Sequence, residues 1–334
     1  MDGLFSRIRH FHLGLTAIAL AFLGIAWPCS TSAAQGSEIP LLITTDRLER
    51  LIQDSDLLED SNLTILDVQP QSNYRRRHIP KAVSLPFKKL TDLTSRIQGK
   101  RLPDMQLART FGRTGIGKDS YVVVYDNVGG HLAARVLWLM HYLGHYRVSV
   151  LDGGIPKWKA EGRPITTKSI DRPARRRLFP IDLAPQHLAT TDYVLEHLDD
   201  PNTVIVDVRP PKMYAAAHMP GAVNLPWKRS LTPDDVWRPL DELRATFEEA
   251  GVTKDKNVIV YCQYGNMNHH TYMTLKLLGY TRVRSYDLAW AGWSRDPSLP
   301  KVDASGNPAE VEAESSQETE LGFVEPGGNQ EKTD

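Results

Sequence analysis

TILDVQPQSNYRRRHIPKAVSLPF at residues 64–87 and VIVDVRPPKMYAAAHMPGAVNLPW at residues 204–227 follow one pattern without a gap. Asp67 pairs with Asp207, Tyr74 with Tyr214, His78 with His218 and Pro86 with Pro226, all at a constant offset. Further out, VVVYD (122–126) pairs with VIVYC (258–262). YLGHYRVSVLDGGIPKW (142–158) pairs with LLGYTRVRSYDLAWAGW (277–293), which sets Trp158 against Trp293. Solenoid units run ~20–50 residues, so a repeat of this length is a duplicated domain.

Each copy alternates short β-branched runs (ILDV, YVVVY and VSVLD; VIVDV and VIVYC) with helical stretches such as 131–144 and 269–279. Both of these stretches end on a glycine suited to a helix C-cap. Continuous apolar strands alternating with helices predict α/β domains with a parallel sheet covered on both faces. The expected domains span 40–165 and 186–300. The proline-containing, basic stretch between them, 166–185, reads as a linker.

The chain has 334 residues, with 40 basic and 40 acidic side chains. That length suits two domains that each bury a core. The even balance gives no basis for nucleic acid or an anionic membrane as a partner. Val302 to Asp334 carries nine acids against one lysine and few aromatic residues, and it reads as a disordered acidic tail.

Residues 1–34 have the organisation of a secretory signal. Arg7 and Arg9 precede the apolar run Leu13 to Trp27, and small residues follow up to Ala34. The run is short of the ~20 residues that span a bilayer, so no stable membrane insertion is expected after cleavage. The mature protein would be periplasmic or secreted. Of the two cysteines, Cys29 falls in this segment, which leaves Cys262 as the one thiol, unable to form an internal disulfide. In an oxidising compartment an idle thiol is a liability, which favours a working role.

Cys262 follows the strand run VIVY and precedes Gln263, Tyr264, Gly265, Asn266 and Met267, with a helix expected to begin near Asn268. A strand–loop–helix unit places such a loop at the carboxyl edge of a parallel sheet, where ligands bind. Inward-pointing amides and the helix dipole both favour a thiolate there. Gly265 lets the backbone turn back without a Cβ clash.

With DVR (207–209), HMPGAVNLPW (218–227), the Cys262 loop and DLAWAGW (287–293) in order, the halves resemble rhodanese domains from about residue 40 to 300. The resemblance is to the tandem thiosulfate/3-mercaptopyruvate sulfurtransferases. It implies two five-stranded parallel sheets with the reactive loop between the domains. It also implies that Cys262 takes a sulfane sulfur as a persulfide and passes it to a thiophilic acceptor such as cyanide, a thiol or a protein thiol, without a cofactor or metal. Asp126 stands where the second copy has Cys262, so the first domain is expected to be silent.

Three departures bear on the donor. Tyr264 lies where thiosulfate-using relatives place a cation, Met213 where many tandem members have arginine, and the loop 263–267 carries no charge. Arg209 and Lys212 remain as candidate anion ligands beside the loop residues. A sulfur-carrying, sensing or binding module with little turnover is the alternative from another class. A cysteine phosphatase would need arginine six positions after the cysteine, and that residue is Asn268. His269 and His270 are adjacent on a helix, ~100° apart, which does not suit joint chelation of a metal.

Overall fold

The computed structural model describes residues 39–56, 62–169 and 176–311. The expected signal segment and the acidic stretch from 312 onward lie outside these residues.

In the first domain β1 (Leu42–Ile43), β2 (Leu63–Asp67), β3 (Ala82–Ser84), β4 (Tyr121–Tyr125) and β5 (Val148–Leu151) alternate with five α-helices. These are α1 (Thr45–Asp56), α2 (Gln71–Arg76), α3 (Asp104–Arg113), α4 (His131–Tyr142) and α5 (Gly154–Ala160). The second domain repeats the series with β6 (Leu188–Ala189), β7 (Thr203–Asp207), β8 (Val223–Asn224), β9 (Asn257–Tyr261) and β10 (Val283–Tyr286). Its helices are α6 (Thr191–Glu196), α7 (Pro211–Ala216), α8 (Leu240–Glu249), α9 (Asn268–Leu277) and α10 (Ala289–Trp293).

Each sheet has five strands, in the orders β1-β5-β4-β2-β3 and β6-β10-β9-β7-β8, and every pairing within them is parallel. The two expected five-stranded α/β domains are therefore present. The central strands β4 and β9 are buried on both faces, as their unbroken Val/Ile/Tyr runs require. Successive residues serve opposite faces. Val123 and Tyr125 pack with Leu48, Tyr74 and Trp158 of α1, α2 and α5, whereas Val122 and Val124 pack with Leu107 of α3 and Leu137 of α4. Gly144 (φ 87°) and Gly279 (φ 85°) follow α4 and α9 in the left-handed conformation expected of such caps.

The α3/α4 face of the first sheet and the α8/α9 face of the second merge into one apolar core, which includes Cys262. Along that seam α4 packs on α9, and the rings of Trp138 and His269 lie 4.4 Å apart.

The stretch between the domains is packed in part, and one boundary expectation needs correction. The segment 176–184 is a strap packed on the first domain. Phe179 is buried against Phe111, and the Asp182 and Ala184 amides donate to Leu143 and Tyr142 at the end of α4. Residues 302–311, read as the start of a disordered tail, are ordered. Val302 bridges His218, Asp303 accepts from the Ser305 and Asn307 amides, and Ala309 and Val311 pack on the second domain. Local apolar anchors and an Asx turn outweigh the acidic composition there.

Candidate active site

Cys262 stands one residue beyond the carboxyl end of β9, the middle strand, and is 1% exposed. Its sulfur accepts the Asn266 N–H at 3.2 Å, and its thiol donates to Asn268 Oδ1 at 3.3 Å. Asn268, at the start of α9, donates through Nδ2 to Ser285 Oγ (2.8 Å), which meets His269 Nε2 at 3.1 Å. These contacts form one hydrogen-bonded chain that ends on the sulfur. With a thiol, Asn268 accepts. With a thiolate, a half-turn of the amide presents Nδ2 to sulfur, and the Ser285 hydroxyl can donate to the displaced oxygen. The dipole of α9 favours negative charge at the same end.

Gly265 has φ 70°, and a Cβ there would meet Asp287 O at 2.6 Å and Arg135 Nη1 at 3.0 Å. Glycine is therefore required both by conformation and by the closeness of its neighbours. Arg135, whose side chain is fully buried, comes from α4 of the other domain. Its Nη1 donates to Gly265 O and to Asn266 Oδ1 (3.3 Å), and its Nη2 donates to Gly99 O (2.7 Å). Asp287, at the end of β10, lies 3.6 Å from Arg135 and 3.4 Å from Arg101, both from the first domain. Burial lowers the basicity of Arg135, and the charges of Asp287 and Cys262 oppose that change. Gly99 presses on the loop from the same side, since a Cβ there would meet Tyr264 O at 1.9 Å. The Cys262 loop is thus held in place by side chain and backbone of the first domain.

Arg209 and Lys212 are placed differently. The Arg209 guanidinium is buried, bound to both Asp207 oxygens (Nη2 to Oδ2 2.7 Å) and to Ala217 O (2.7 Å), and lies 4.4 Å over the Trp290 ring. Its remaining arm, Nη1, reaches Gln263 Oε1 at 3.2 Å. It therefore orients the first loop residue, and its charge is already neutralised by Asp207. Lys212 is exposed on α7, and no side-chain partner holds it among the described residues. Met213 is exposed beside it. Trp293 is a core residue whose Nε1 donates to Pro300 O (2.9 Å), mirroring Trp158 and Pro164 O (2.7 Å). His269 packs on Trp138 and His270 stacks on Trp237 at 4.2 Å, and burial holds both rings neutral, His270 at about 3.

The corresponding loop of the first domain directs its backbone amides at a carboxyl side chain. Asp126 Oδ1 accepts the Val128 and Gly130 amides at 3.0 and 2.8 Å, and Oδ2 accepts the Leu132 and Ala133 amides at 2.9 and 3.1 Å. Trp237 of the second domain covers this loop so closely that a Cβ on Gly130 would meet its ring at 2.5 Å. Each of Trp237 and Arg101 forms an equivalent bridge, to Leu231 and Thr91 respectively, so the two domains cover each other's loops with unlike side chains.

Arg135, Arg101, Asp287, Gly99 and Asn268 were not foreseen as site residues. Arg135 had a signal: a single charge within LAARVLWLM, an apolar run, requires a buried partner.

The fold and the site together define a tandem α/β protein with one cysteine at a loop built to hold negative charge. Residues 45–161 and 190–296 each match the Rhodanese-like domain, and the chain belongs to this family. It is 32% identical over 282 residues to the sulfur carrier protein TtuD of Thermus thermophilus, covering 78% of this chain and 95% of that protein. It is 31% identical over 264 residues to a thiosulfate sulfurtransferase of Azotobacter vinelandii, covering 76% and 97%. Among solved structures, the anaerobic ergothioneine biosynthesis enzyme of Chlorobium limicola shares the fold, with a TM-score of 0.70 at 22% identity over 78% of this chain and 69% of that one.

Proposed function

We propose that the protein is a sulfurtransferase whose sulfur-carrying group is Cys262. The corresponding loop of the first domain carries this reading: its strand–loop–helix unit directs four backbone amides at the Asp126 side chain. Around Cys262 that unit would receive a thiolate and then a persulfide. In the first step the Cys262 thiolate attacks the outer sulfur of a donor, a new S–S bond forms, and the donor's bond to that sulfur breaks. The rest of the donor leaves with the electron pair, as sulfite if the donor is thiosulfate. In the second step an acceptor nucleophile attacks the outer sulfur of the persulfide, and the thiolate returns. Electrons balance without an external oxidant. Relatives named as thiosulfate sulfurtransferases support this chemistry, although the donor and acceptor of this chain are set by its own loop.

A carrier that loads once and delivers to a protein thiol is the second reading, favoured by the 1% exposure of Cys262 and by the relative named as a sulfur carrier. Cyanide assays separate the two. Multiple turnovers of thiocyanate, lost in Cys262→Ser with the fold intact, are expected of the transferase. A single equivalent per chain would assign the carrier role, and continued turnover by the serine variant would remove Cys262 from the mechanism.

Export is part of the same proposal. Residues 1–34 would be removed, so protein recovered from its own compartment should begin at or near Gln35. An intact N-terminus in a membrane fraction would make the segment an anchor.

A further inference from the structure

The first domain retains a cleft of about 430 Å³ at the carboxyl ends of β2, β4 and β5, within the size range of small-molecule sites. The repeat gives it a meaning. Its lining residue Asn127 follows Asp126 as Gln263 follows Cys262, and Ile155 and Pro156 stand in the repeat where the catalytic domain has Trp290 and Ala291. The cleft is the silent counterpart of the mouth through which a donor would reach Cys262.

The two mouths differ in charge. Arg76, Arg77 and Lys159 line the silent one, while the repeat places Ala216, Ala217 and Ser294 at the matching positions of the catalytic domain. All three cations are exposed, and none has an ion pair or a side-chain hydrogen bond among the described residues. No carboxylate lines the cleft, and the amide of Asn73 stands where the catalytic domain has Met213. Asp126, beyond Asn127, is 1% exposed and saturated by its four amides, so it does not serve as the counter-ion of these side chains.

We propose that this cleft binds a small oxyanion of the phosphate or sulfate type, carrying at least two negative charges, and binds it without chemistry. Three uncompensated cations in a concave site set the charge, and the amide side chains supply donors to ligand oxygens. The volume admits a diphosphate or an organic ester as well as a bare tetrahedral ion. Asp126 is buried and both its oxygens are taken up by backbone amides, so it is not free to attack a bound oxyanion. The site does not depend on the role of Cys262.

Calorimetric titration of the full chain with inorganic pyrophosphate tests the proposal. One site is expected, weakening as potassium chloride is raised across the range where surface charge is screened. Joint replacement Arg76→Gln, Arg77→Gln and Lys159→Gln should lower the affinity by about tenfold or more, equivalent to ~1.4 kcal/mol. The same variant should keep its unfolding midpoint and its sulfur transfer, and Cys262→Ser should bind pyrophosphate as the parent does. Undiminished affinity in the triple variant, loss of binding in Cys262→Ser, or no binding of pyrophosphate at millimolar concentration would each overturn it.

Discussion

At position 126 four amides converge on a carboxylate, and at position 262 one amide and one asparagine side chain contact a sulfur. Charge-assisted hydrogen bonds contribute ~1.5–3 kcal/mol each, so the first loop is satisfied internally, whereas the second leaves its sulfur with fewer fixed contacts. Donor choice follows from the residues beside the sulfur. Arg135 is committed to Gly265, Asn266 and Gly99, Arg209 is committed to Asp207, and positions 213 and 264 hold Met213 and Tyr264. Of the expected anion ligands, only the exposed Lys212 on α7 is then left to a doubly charged donor. Thiosulfate should be a weak substrate with a high KM, and less charged persulfides should load better. Tyr264→Lys should lower the thiosulfate KM by about tenfold through one added charged contact. Steady-state kinetics decide the point: a low micromolar KM for the parent, or no gain from lysine, would mean that another group binds the anion. Cys262 and its neutral loop were legible from sequence because they are contiguous. The partners of Arg209 were not, because only the folded distance shows that Asp207 has already taken the charge.

Among the elements, α4 is the one that joins the domains functionally. Its Arg135 enters the loop between β9 and α9, so part of the Cys262 loop's rigidity is supplied from the first domain. Arg135→Met would leave the Gly265 and Gly99 carbonyls without their donor and Asp287 without one of its two cations. Removing one partner of such a buried pair destabilises by ~3–5 kcal/mol. We expect a lower unfolding midpoint and slower alkylation of Cys262 at neutral pH. Arg135→Lys should recover part of the second effect, since it restores charge without the bidentate geometry. Alkylation at the parent rate in the methionine variant would show that Arg135 does not govern the sulfur. Strands and helices were legible here because hydrophobic period and glycine caps are local signals. The strap and the ordered residues 302–311 were hidden, because single anchors such as Phe179 and Val302 gain their energy from surfaces distant in sequence.

For the molecule as a whole, the shared core between the sheets buries titratable rings. Burial holds His141 and His270 at about 3 and His187 at about 4, below their ordinary value of 6.5. Unfolding exposes these rings, so below pH 6.5 the unfolded chain binds more protons and stability is lost as the pH falls toward the folded values. Asp67 acts in the opposite sense. Its repeat partner Asp207 has Arg209, but Asp67 faces Gln69, and burial raises it to about 6 despite the bond from Tyr125. Each fully buried group shifts stability by up to ~1.4 kcal/mol per pH unit, so His141 and His270 together outweigh Asp67. Urea unfolding should show stability falling by about 1.4 kcal/mol or more per pH unit between pH 6 and pH 4. A flat or rising profile over that window would contradict the neutral burial of these histidines. The duplicated architecture was legible at this scale from the repeat alone, whereas the seam between α4 and α9 was not, because nothing in either copy specifies which faces meet.

The central claim, that sulfur travels on Cys262, is tested most directly by intact-mass spectrometry of protein exposed to a persulfide donor and desalted. One added sulfur per chain is predicted, mapped to the peptide containing Cys262, removed by cyanide and absent in Cys262→Ser. An unshifted mass in the parent, or the same adduct in the serine variant, would contradict it.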